Sequence, residues 1–336
     1  MKIVADQHIP FLAETIRAHW QEMQICPMKP EEIDSSAVRD ADVLVVRTRT
    51  HVGESLLKDS RVRLVCTATI GFDHIDTAWC EAHGIHWISC PGCNAQAVCD
   101  YIEEALEEYM PSAISNQRSA ISHQLIVGVV GVGHVGSLVA EMAERKGYRV
   151  LLNDPPKGIG VPLDTIAGEC DIITFHVPLI NPQHEVTNTQ SPTQSHPTYH
   201  LCDEAFLSRC KPGALIINAA RGGVVDEQAL LQSGHPYILD TWEGEPQLNR
   251  QVLQHAFRAS MHIAGYSLQG KINATNRCLR AISEEFGLPI LSCDKNLVTL
   301  QPISGDTAPG WLGRITAQLK NAPDAFEQLR KTYILR

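Results

Sequence analysis

Residues 124–154 of the chain read QLIVGVVGVGHVGSLVAEMAERKGYRVLLND, and this stretch decides the fold. Its first apolar run, Leu125 to Val130, is short and rich in β-branched residues, which favours a strand over a helix. The glycine turn GVGHVG follows, and apolar residues then recur at steps of three and four, as on one face of a helix. A second strand is predicted from Tyr148 to Asn153, and Asp154 ends it. Strand, glycine turn, helix, strand and acidic residue come in the order of a dinucleotide-binding unit.

Each part of this turn has a physical role in holding a dinucleotide. Gly131 permits the tight turn, Gly133 lets the backbone approach a pyrophosphate, and Gly136 lets the helix pack closely on the strand. The free N–H groups and the dipole at the helix start favour the negatively charged pyrophosphate. We therefore assign these glycines to the cofactor site, together with the residues that open the helix, His134 and Val135.

Asp154 predicts which dinucleotide binds. Its carboxylate is placed to accept hydrogen bonds from the adenosine ribose hydroxyls, and it would repel a 2′-phosphate, so the sequence indicates NAD rather than NADP. The alternative is a glycine turn in an α/β protein that binds no nucleotide.

The composition argues against several classes of protein. With 336 residues, 44% of them hydrophobic and 20% charged, the chain is long enough for two domains with full cores. The net charge of −10 argues against a nucleic-acid partner. No apolar run approaches the roughly 18 residues of a membrane span, and a secretory signal is lacking, so we expect a cytoplasmic protein without a membrane partner. The eleven cysteines are scattered without a complete zinc-ligand spacing, so we expect reduced thiols and no metal.

The chain before residue 95 alternates strand and helix patterns, which predicts a second parallel sheet. One of its strands ends at a turn that places Arg47, Thr48 and Arg49 together, and another ends near Thr69. From their charge, the two arginines are our candidates for binding a substrate phosphate. The alternative for them is an ordinary solvated pair. The predicted strands are Lys2–Ala5, Asp42–Arg47, Arg63–Cys66 and Ile85–Ser89, and the predicted helices are Pro10–Trp20, Ser55–Lys58 and Thr77–His83.

Polar residues follow the predicted strands of the second half. Arg221, Asp240 and His262 lie at or just beyond the carboxyl ends of such strands, which in a parallel sheet face the ligand crevice. Between the strands, residues 181–198 lack apolar periodicity and are rich in Pro, Thr and Gln, which indicates a surface insertion. A passive loop is favoured for it over a lid.

Hydride transfer from a carbon that bears a hydroxyl needs a base, a partner that holds the base, and a cation for an acidic substrate. Histidine titrates nearest neutrality, and a paired carboxylate favours its protonated form and fixes its tautomer. Arginine suits a carboxylate because its planar fork binds both oxygens. The chain offers His262, Glu245 and Arg221 for these three tasks, although most histidines in a protein are structural.

Three motifs around these residues resemble the D-2-hydroxyacid dehydrogenase family. They are NAARGGVVDEQAL at 218–230, ILDTWEGEP at 238–246 and MHIAGYSLQGK at 261–271. The resemblance implies that Arg221 holds the substrate carboxylate and that His262, supported by Glu245, takes the hydroxyl proton. It also implies cofactor contacts from Asp240 and Gly265, and substrate contacts from Tyr266, Thr48 and Thr69.

The resemblance implies two doubly wound parallel-sheet domains. These are a Rossmann NAD domain at residues 96–255 and a discontinuous flavodoxin-like substrate domain at 1–95 and 256–286. A C-terminal dimerisation segment follows at 287–336, shorter than is usual in the family. Within it, residues 296–303 are a candidate edge strand, and Phe326, Leu329 and Tyr333 form an apolar stripe that favours a homodimer over a monomer.

The function we expect is NAD-dependent oxidation of a small phosphorylated hydroxyacid. One alternative is another dehydrogenase of the family, acting on phosphoglycerate, glyoxylate or hydroxypyruvate. Another is a protein that senses NAD without catalysis. The joint presence of Arg221, Glu245 and His262 argues against a sensor, which has no need of all three.

Overall fold

The computed structural model describes residues 1–116, 124–181, 196–293 and 310–333, and the chain forms two compact units. Among the described residues, the first unit contains 1–94 and 267–293, and the second contains 95–266 and 310–333. The chain returns to the first unit at Ser267 rather than near the predicted residue 256. The return comes later because residues 258–259 still form a strand of the second sheet.

The first unit is built on a sheet of five strands that are all parallel. Their order, β2-β1-β3-β4-β5, is that of a flavodoxin-like sheet, as predicted. The sequence did not predict β2, which contains Pro27. Since β2 lies at the sheet edge, the missing N–H of proline leaves no ladder bond unmade there. The strands are β1 (Lys2–Asp6), β2 (Gln24–Met28), β3 (Val43–Val46), β4 (Leu64–Thr67) and β5 (His86–Ile88).

The helices of the first unit pack around this sheet of apolar strands. Those predicted from the sequence begin and end within two residues of the predicted bounds. The longest comes from the returning chain, begins at the N-cap Ser267 and ends before Gly287. The helices are α1 (Leu12–His19), α2 (Ser35–Val38), α3 (Glu54–Leu57), α4 (Thr77–Ala82) and, later in the chain, α11 (Leu268–Phe286).

The second unit contains a sheet of seven strands in the order β12-β11-β10-β9-β6-β7-β8. All neighbours are parallel except β7 and β8, so the prediction of a doubly wound Rossmann sheet is confirmed. The strand order reverses between β6 and β9, and ligands of such sheets bind at the carboxyl ends of the strands beside this reversal. The strands are β6 (Ile126–Val130), β7 (Arg149–Asp154), β8 (Ile159–Gly160), β9 (Ile172–Phe175), β10 (Leu215–Asn218), β11 (Tyr237–Leu239) and β12 (Arg258–Ala259).

Helices cover the second sheet and bury its apolar strands. The longest, which opens the unit, packs beside the helix that follows the glycine turn. The helices are α5 (Ala95–Asn116), α6 (His134–Arg145), α7 (Leu163–Glu169), α8 (Glu204–Arg209), α9 (Glu227–Ser233), α10 (Arg250–His255), α12 (Trp311–Asn321) and α13 (Phe326–Thr332).

The C-terminal helices belong to the core of the second unit, so they do not form a separate segment, and their predicted part in dimerisation stays a prediction. Leu319 of α12 is fully buried, and Phe326 of α13 is 1% exposed. The Thr316 hydroxyl accepts a hydrogen bond from the Ala259 N–H at 2.9 Å, which ties α12 to β12. The stripe of Phe326, Leu329 and Tyr333 packs against the same core and gives no argument for a dimer. The candidate edge strand at 296–303 lies outside the described residues.

Two further observations bear on the expected environment of the chain. All eleven cysteines are free. Within the described ranges, no helix combines the length and the apolar character needed to cross a bilayer, and no group of three or more His, Cys, Asp or Glu residues is arranged to hold a metal ion.

We predict that Leu319→Ala lowers the free energy of unfolding by about 2–5 kcal/mol, because the substitution leaves a cavity in the core of the second unit. The exposed neighbour in the same helix gives the control, Gln318→Ala, which is expected to change stability by less than about 0.5 kcal/mol. Urea denaturation followed by circular dichroism measures both. Equal stabilities of the two variants would show that α12 does not pack on its own unit.

Candidate active site

The glycine turn after β6 leaves an open space at the start of α6. Gly131 has φ of 92°, and a side chain there would meet the His176 carbonyl oxygen at 2.7 Å. A side chain on Gly136 would meet the Gly131 oxygen at 1.9 Å, so glycine alone permits this close packing of helix and turn. Gly133 is the N-cap of α6, and a Cβ on it would have no heavy atom within 4 Å. This open space beside free helical N–H groups fits a dinucleotide pyrophosphate.

Asp154 lies at the end of β7 beside the same turn. Its Oδ2 accepts a hydrogen bond from the Val132 N–H at 2.9 Å, which joins the second strand to the turn. Lys157 lies 3.7 Å from this oxygen and also donates to the Val132 carbonyl. Sequence reasoning missed Lys157, although its place three residues after Asp154 in DPPK was visible. The predicted ribose site thus combines the carboxylate of Asp154 with the ammonium group of Lys157.

Arg221 lies in the loop after β10, and its side chain is exposed. Asn218, buried at the strand end, accepts from the Ala220 N–H and donates to the Arg221 carbonyl, so it fixes the loop backbone. Arg221 Nη1 donates to the Ala220 carbonyl at 2.7 Å. No carboxylate pairs with this guanidinium in the described part of the chain, so its charge is open to an anionic ligand.

His262 and Glu245 form the hydrogen-bonded pair that the sequence predicted. Nδ1 of His262 lies 2.5 Å from Glu245 Oε1, and both side chains are about one-quarter exposed. Glu245 Oε2 accepts from the Trp242 N–H at 3.2 Å. Burial raises the pKa of Glu245, but the hydrogen bond and charge of His262, the Trp242 N–H and the charge of Arg330 together lower that pKa below its ordinary value. Glu245 is therefore ionised at neutral pH and holds the imidazole in one tautomer.

Asp240 holds the backbone on which His262 stands. Its Oδ1 accepts from the Ser260 hydroxyl and the Ile263 N–H, each at 2.7 Å, and its Oδ2 accepts from the Ala264 N–H at 2.9 Å. These bonds stabilise the loop in which His262 adopts φ of 57°, a conformation that non-glycine residues seldom take. Asp240 is 1% exposed. Its predicted nicotinamide contact stays a prediction.

The loop that carries His262 continues into Gly265 and Tyr266, the last two residues of this unit predicted to bind cofactor and substrate. Gly265 follows Ala264 directly and is half-buried, as is Tyr266. The Tyr266 N–H donates to the Ile263 carbonyl at 2.8 Å, which closes the loop into a turn. His262 and Tyr266 therefore lie on one short loop that Asp240 holds in place. Glu245 is joined to this loop by its hydrogen bond with His262.

Glu227 joins the loops of Arg221 and Glu245, and sequence reasoning missed it. Its carboxylate, 6% exposed, accepts from the Glu243 N–H at 2.6 Å. Burial raises the pKa of Glu227 to about 7, and the charges of Glu243, Glu245 and Asp226 add to the rise. In the sequence Glu227 begins an amphipathic helix, which predicts exposure, so no signal pointed to its burial.

The predicted substrate residues of the first unit have different surroundings. Arg47 is paired with the buried Asp6, with Nε 2.8 Å from Oδ2. Thr48 and Arg49 are exposed. The Thr69 hydroxyl donates to the Gly71 carbonyl and hydrogen-bonds to the Thr67 hydroxyl, so it is held in place.

Lys271, in the first turn of α11, is a further cation of the first unit that sequence reasoning left without a role. Burial, followed by the nearby charge of Arg47, lowers the pKa of its ammonium group. Since the charge of Arg47 contributes to this shift, Lys271 is a further candidate for the predicted phosphate site.

Comparisons with known proteins agree with this geometry. Residues 101–264 match the family model described as the NAD binding domain of D-isomer specific 2-hydroxyacid dehydrogenases. The erythronate-4-phosphate dehydrogenase of Bacteroides fragilis is 38% identical, with 100% of this chain and 97% of that protein covered. The enzyme of the same name from Cronobacter sakazakii is 39% identical, with 95% and 80% covered.

Solved structures support the fold. A protein of Thermus thermophilus superimposes with a TM-score of 0.66 at 20% identity, covering 87% of this chain and 99% of its own. The D-lactate dehydrogenase of Aquifex aeolicus, complexed with NAD and lactic acid, has a TM-score of 0.61 at 24% identity, with 85% and 96% covered. The chain belongs to the D-isomer specific 2-hydroxyacid dehydrogenase family and is an NAD-dependent oxidoreductase.

Proposed function

We propose that this enzyme oxidises 4-phospho-D-erythronate to 3-hydroxy-2-oxo-4-phosphooxybutanoate with NAD, as a step of pyridoxal phosphate biosynthesis. The observation that carries the chemistry is the 2.5 Å pair of His262 and Glu245, on the unit that also holds the open glycine turn. The substrate is taken from the names of relatives that are 34–40% identical.

His262 is the base in this proposal. With Nδ1 donating to Glu245, its Nε2 carries the lone pair that takes the hydroxyl proton of the substrate. The ionised Glu245 then stabilises the imidazolium that forms. Arg221, whose guanidinium is open to an anion, holds the substrate carboxylate in a two-pronged contact. When bound, NAD accepts the hydride from the carbon that bears the hydroxyl.

The substrate phosphate is assigned to the turn of Arg47, Thr48 and Arg49 in the first unit. Since Arg47 is already paired with Asp6, its charge is largely balanced, and Arg49 is the stronger candidate. Lys271 supports the assignment because its ammonium group adds to the positive charge beside Arg47. Phosphate, which carries nearly two negative charges at neutral pH, is favoured at such a cluster.

Cellular location and assembly are part of the same proposal. The eleven free cysteines favour a reducing compartment, and the cytoplasm is the one we propose. A homodimer stays a prediction that rests on the resemblance to the family alone, because the apolar stripe that favoured it is covered within its own unit.

We predict that the wild-type enzyme forms NADH from 4-phosphoerythronate with kcat/KM at least about tenfold above the value for glycerate or 3-phosphoglycerate, a difference of ~1.4 kcal/mol. Absorbance of NADH measures all three under one condition. Equal or higher activity with 3-phosphoglycerate would assign the enzyme to another substrate of the family.

Glu245→Gln is expected to move the pH profile of oxidation toward lower pH. The base must be unprotonated to act, and a neutral amide no longer favours the imidazolium, so His262 is available at lower pH. The measurement is kcat/KM against pH, with His262→Ala as the reference that loses about 100-fold or more at every pH. A profile that does not move assigns Glu245 another role.

Asp154→Ala is expected to reduce the preference for NAD over NADP by about tenfold or more, because it removes a repulsive carboxylate and leaves Lys157 to attract a 2′-phosphate. The double variant Asp154→Ala/Lys157→Ala is expected to show a smaller change. The ratio of kcat/KM for the two cofactors measures both. Equal use of NAD and NADP by the wild type would contradict the role of Asp154.

A further inference from the structure

The C-terminal helix α13 brings a guanidinium group to the loop that carries His262. Arg330 Nε donates to the Tyr266 hydroxyl at 3.0 Å, and the guanidinium carbon lies 5.6 Å from the centre of the tyrosine ring. Tyr266 lies four residues after His262 in the loop held by Asp240. A side chain from the end of the sequence is thus fixed beside the predicted catalytic pair.

The positive charge of Arg330 is only weakly balanced. Its side chain is 27% exposed, and its ion-pair partner in the described part of the chain is Glu327, 3.4 Å away and 44% exposed. Such half-exposed pairs on one helix contribute little. Glu245 is close enough for Arg330 to lower its pKa, but its two oxygens are occupied by His262 and the Trp242 N–H.

We propose that Arg330 and Tyr266 together bind an anionic group of the substrate. Arg330 has five N–H donors and gives one to Tyr266 and one to Glu327, which leaves three. Because the tyrosine hydroxyl accepts that bond, its own hydrogen is left to donate to a substrate oxygen. The two side chains therefore present a hydroxyl donor and a guanidinium fork to one oxyanion, which is the strongest kind of hydrogen-bonded contact for such a group.

This inference rests on the proposed function, since it takes a hydroxyacid as the ligand. In that proposal Arg221 holds the substrate carboxylate, and the turn of Arg47, Thr48 and Arg49 holds the phosphate. Arg330 supplies a third positive charge, which adds to the binding of one of these two groups. Both groups are oxyanions, so the site could hold either one. The experiment below determines whether Arg330 binds the phosphate or the carboxylate.

The test compares Arg330→Gln with the matched control Lys331→Gln, which removes an equal charge from the next, exposed position of α13. We measure kcat and KM with 4-phosphoerythronate and with unphosphorylated erythronate, together with the KM for NAD. Arg330→Gln is expected to raise the substrate KM by about tenfold or more, while kcat and the KM for NAD change less than about threefold. Lys331→Gln is expected to match the wild type.

The two substrates identify the anion. A loss confined to 4-phosphoerythronate places Arg330 on the phosphate, and an equal loss on both places it on the carboxylate. Tyr266→Phe, which keeps the ring, is expected to raise the same KM. The inference is overturned if the substrate KM of Arg330→Gln stays within threefold of the wild type. It is also overturned if the variant loses only kcat and shifts the pH profile, since Arg330 would then act through Glu245.

A failure of the proposed function is recognised separately. If the wild type forms no NADH from either compound, binding of oxalate and of inorganic phosphate to the NADH-loaded protein is measured by calorimetry. Weaker binding to Arg330→Gln than to Lys331→Gln would support an anion site at Arg330. Equal binding to both variants, or no binding to the wild type, would contradict it.

Discussion

The candidate site depends on the buried carboxylate of Asp240. A charged group that is 1% exposed is costly to bury unless it is hydrogen-bonded, and Asp240 meets this requirement with one hydroxyl and two backbone N–H groups. These bonds all come from residues 260–264. They offset the strain of His262 at φ of 57°, and they determine where Gly265 and Tyr266 follow. The carboxylate of Asp240 makes no contact with the His262 imidazole. By fixing the loop backbone, it nevertheless sets the direction of that ring and so its hydrogen bond to Glu245.

Negative charge is concentrated around the pair of His262 and Glu245. Asp226, Glu227, Glu243 and Glu245 lie on two neighbouring loops, and their mutual repulsion contributes to raising the pKa of Glu227 to about 7. A site that must accept an anionic substrate needs compensating cations. Protonation of Glu227 removes one charge near neutrality, and the charge of Arg330 opposes that of Glu245 and helps to lower its pKa. The acidic residues and Arg330 are therefore parts of one electrostatic balance.

The features that could be predicted from the sequence are those that depend on short, local patterns of residues. The strand, glycine turn and helix around Gly131 follow from periodicity and from the steric demands of glycine, and the pair of His262 and Glu245 follows from motif resemblance. Long-range pairing was not predictable in this way. The bond of Arg47 to Asp6 joins residues that are 41 positions apart, and Glu227 has the sequence of an exposed helix start. The edge strand β2 was missed because Pro27 argues against a strand wherever the neighbouring strands are unknown.

The C-terminal helices show why an apolar stripe does not by itself identify its partner. Phe326, Leu329 and Tyr333 need cover, and the sequence leaves open whether a second subunit or the same chain supplies it. The covering surface is the core of the second unit, which is formed by residues far apart in sequence. Arg330 lies one helical turn after Phe326, beside the stripe, so burial of the stripe also places its guanidinium group against Tyr266. The packing that stabilises the second unit and the charge that reaches its site therefore depend on the same short helix.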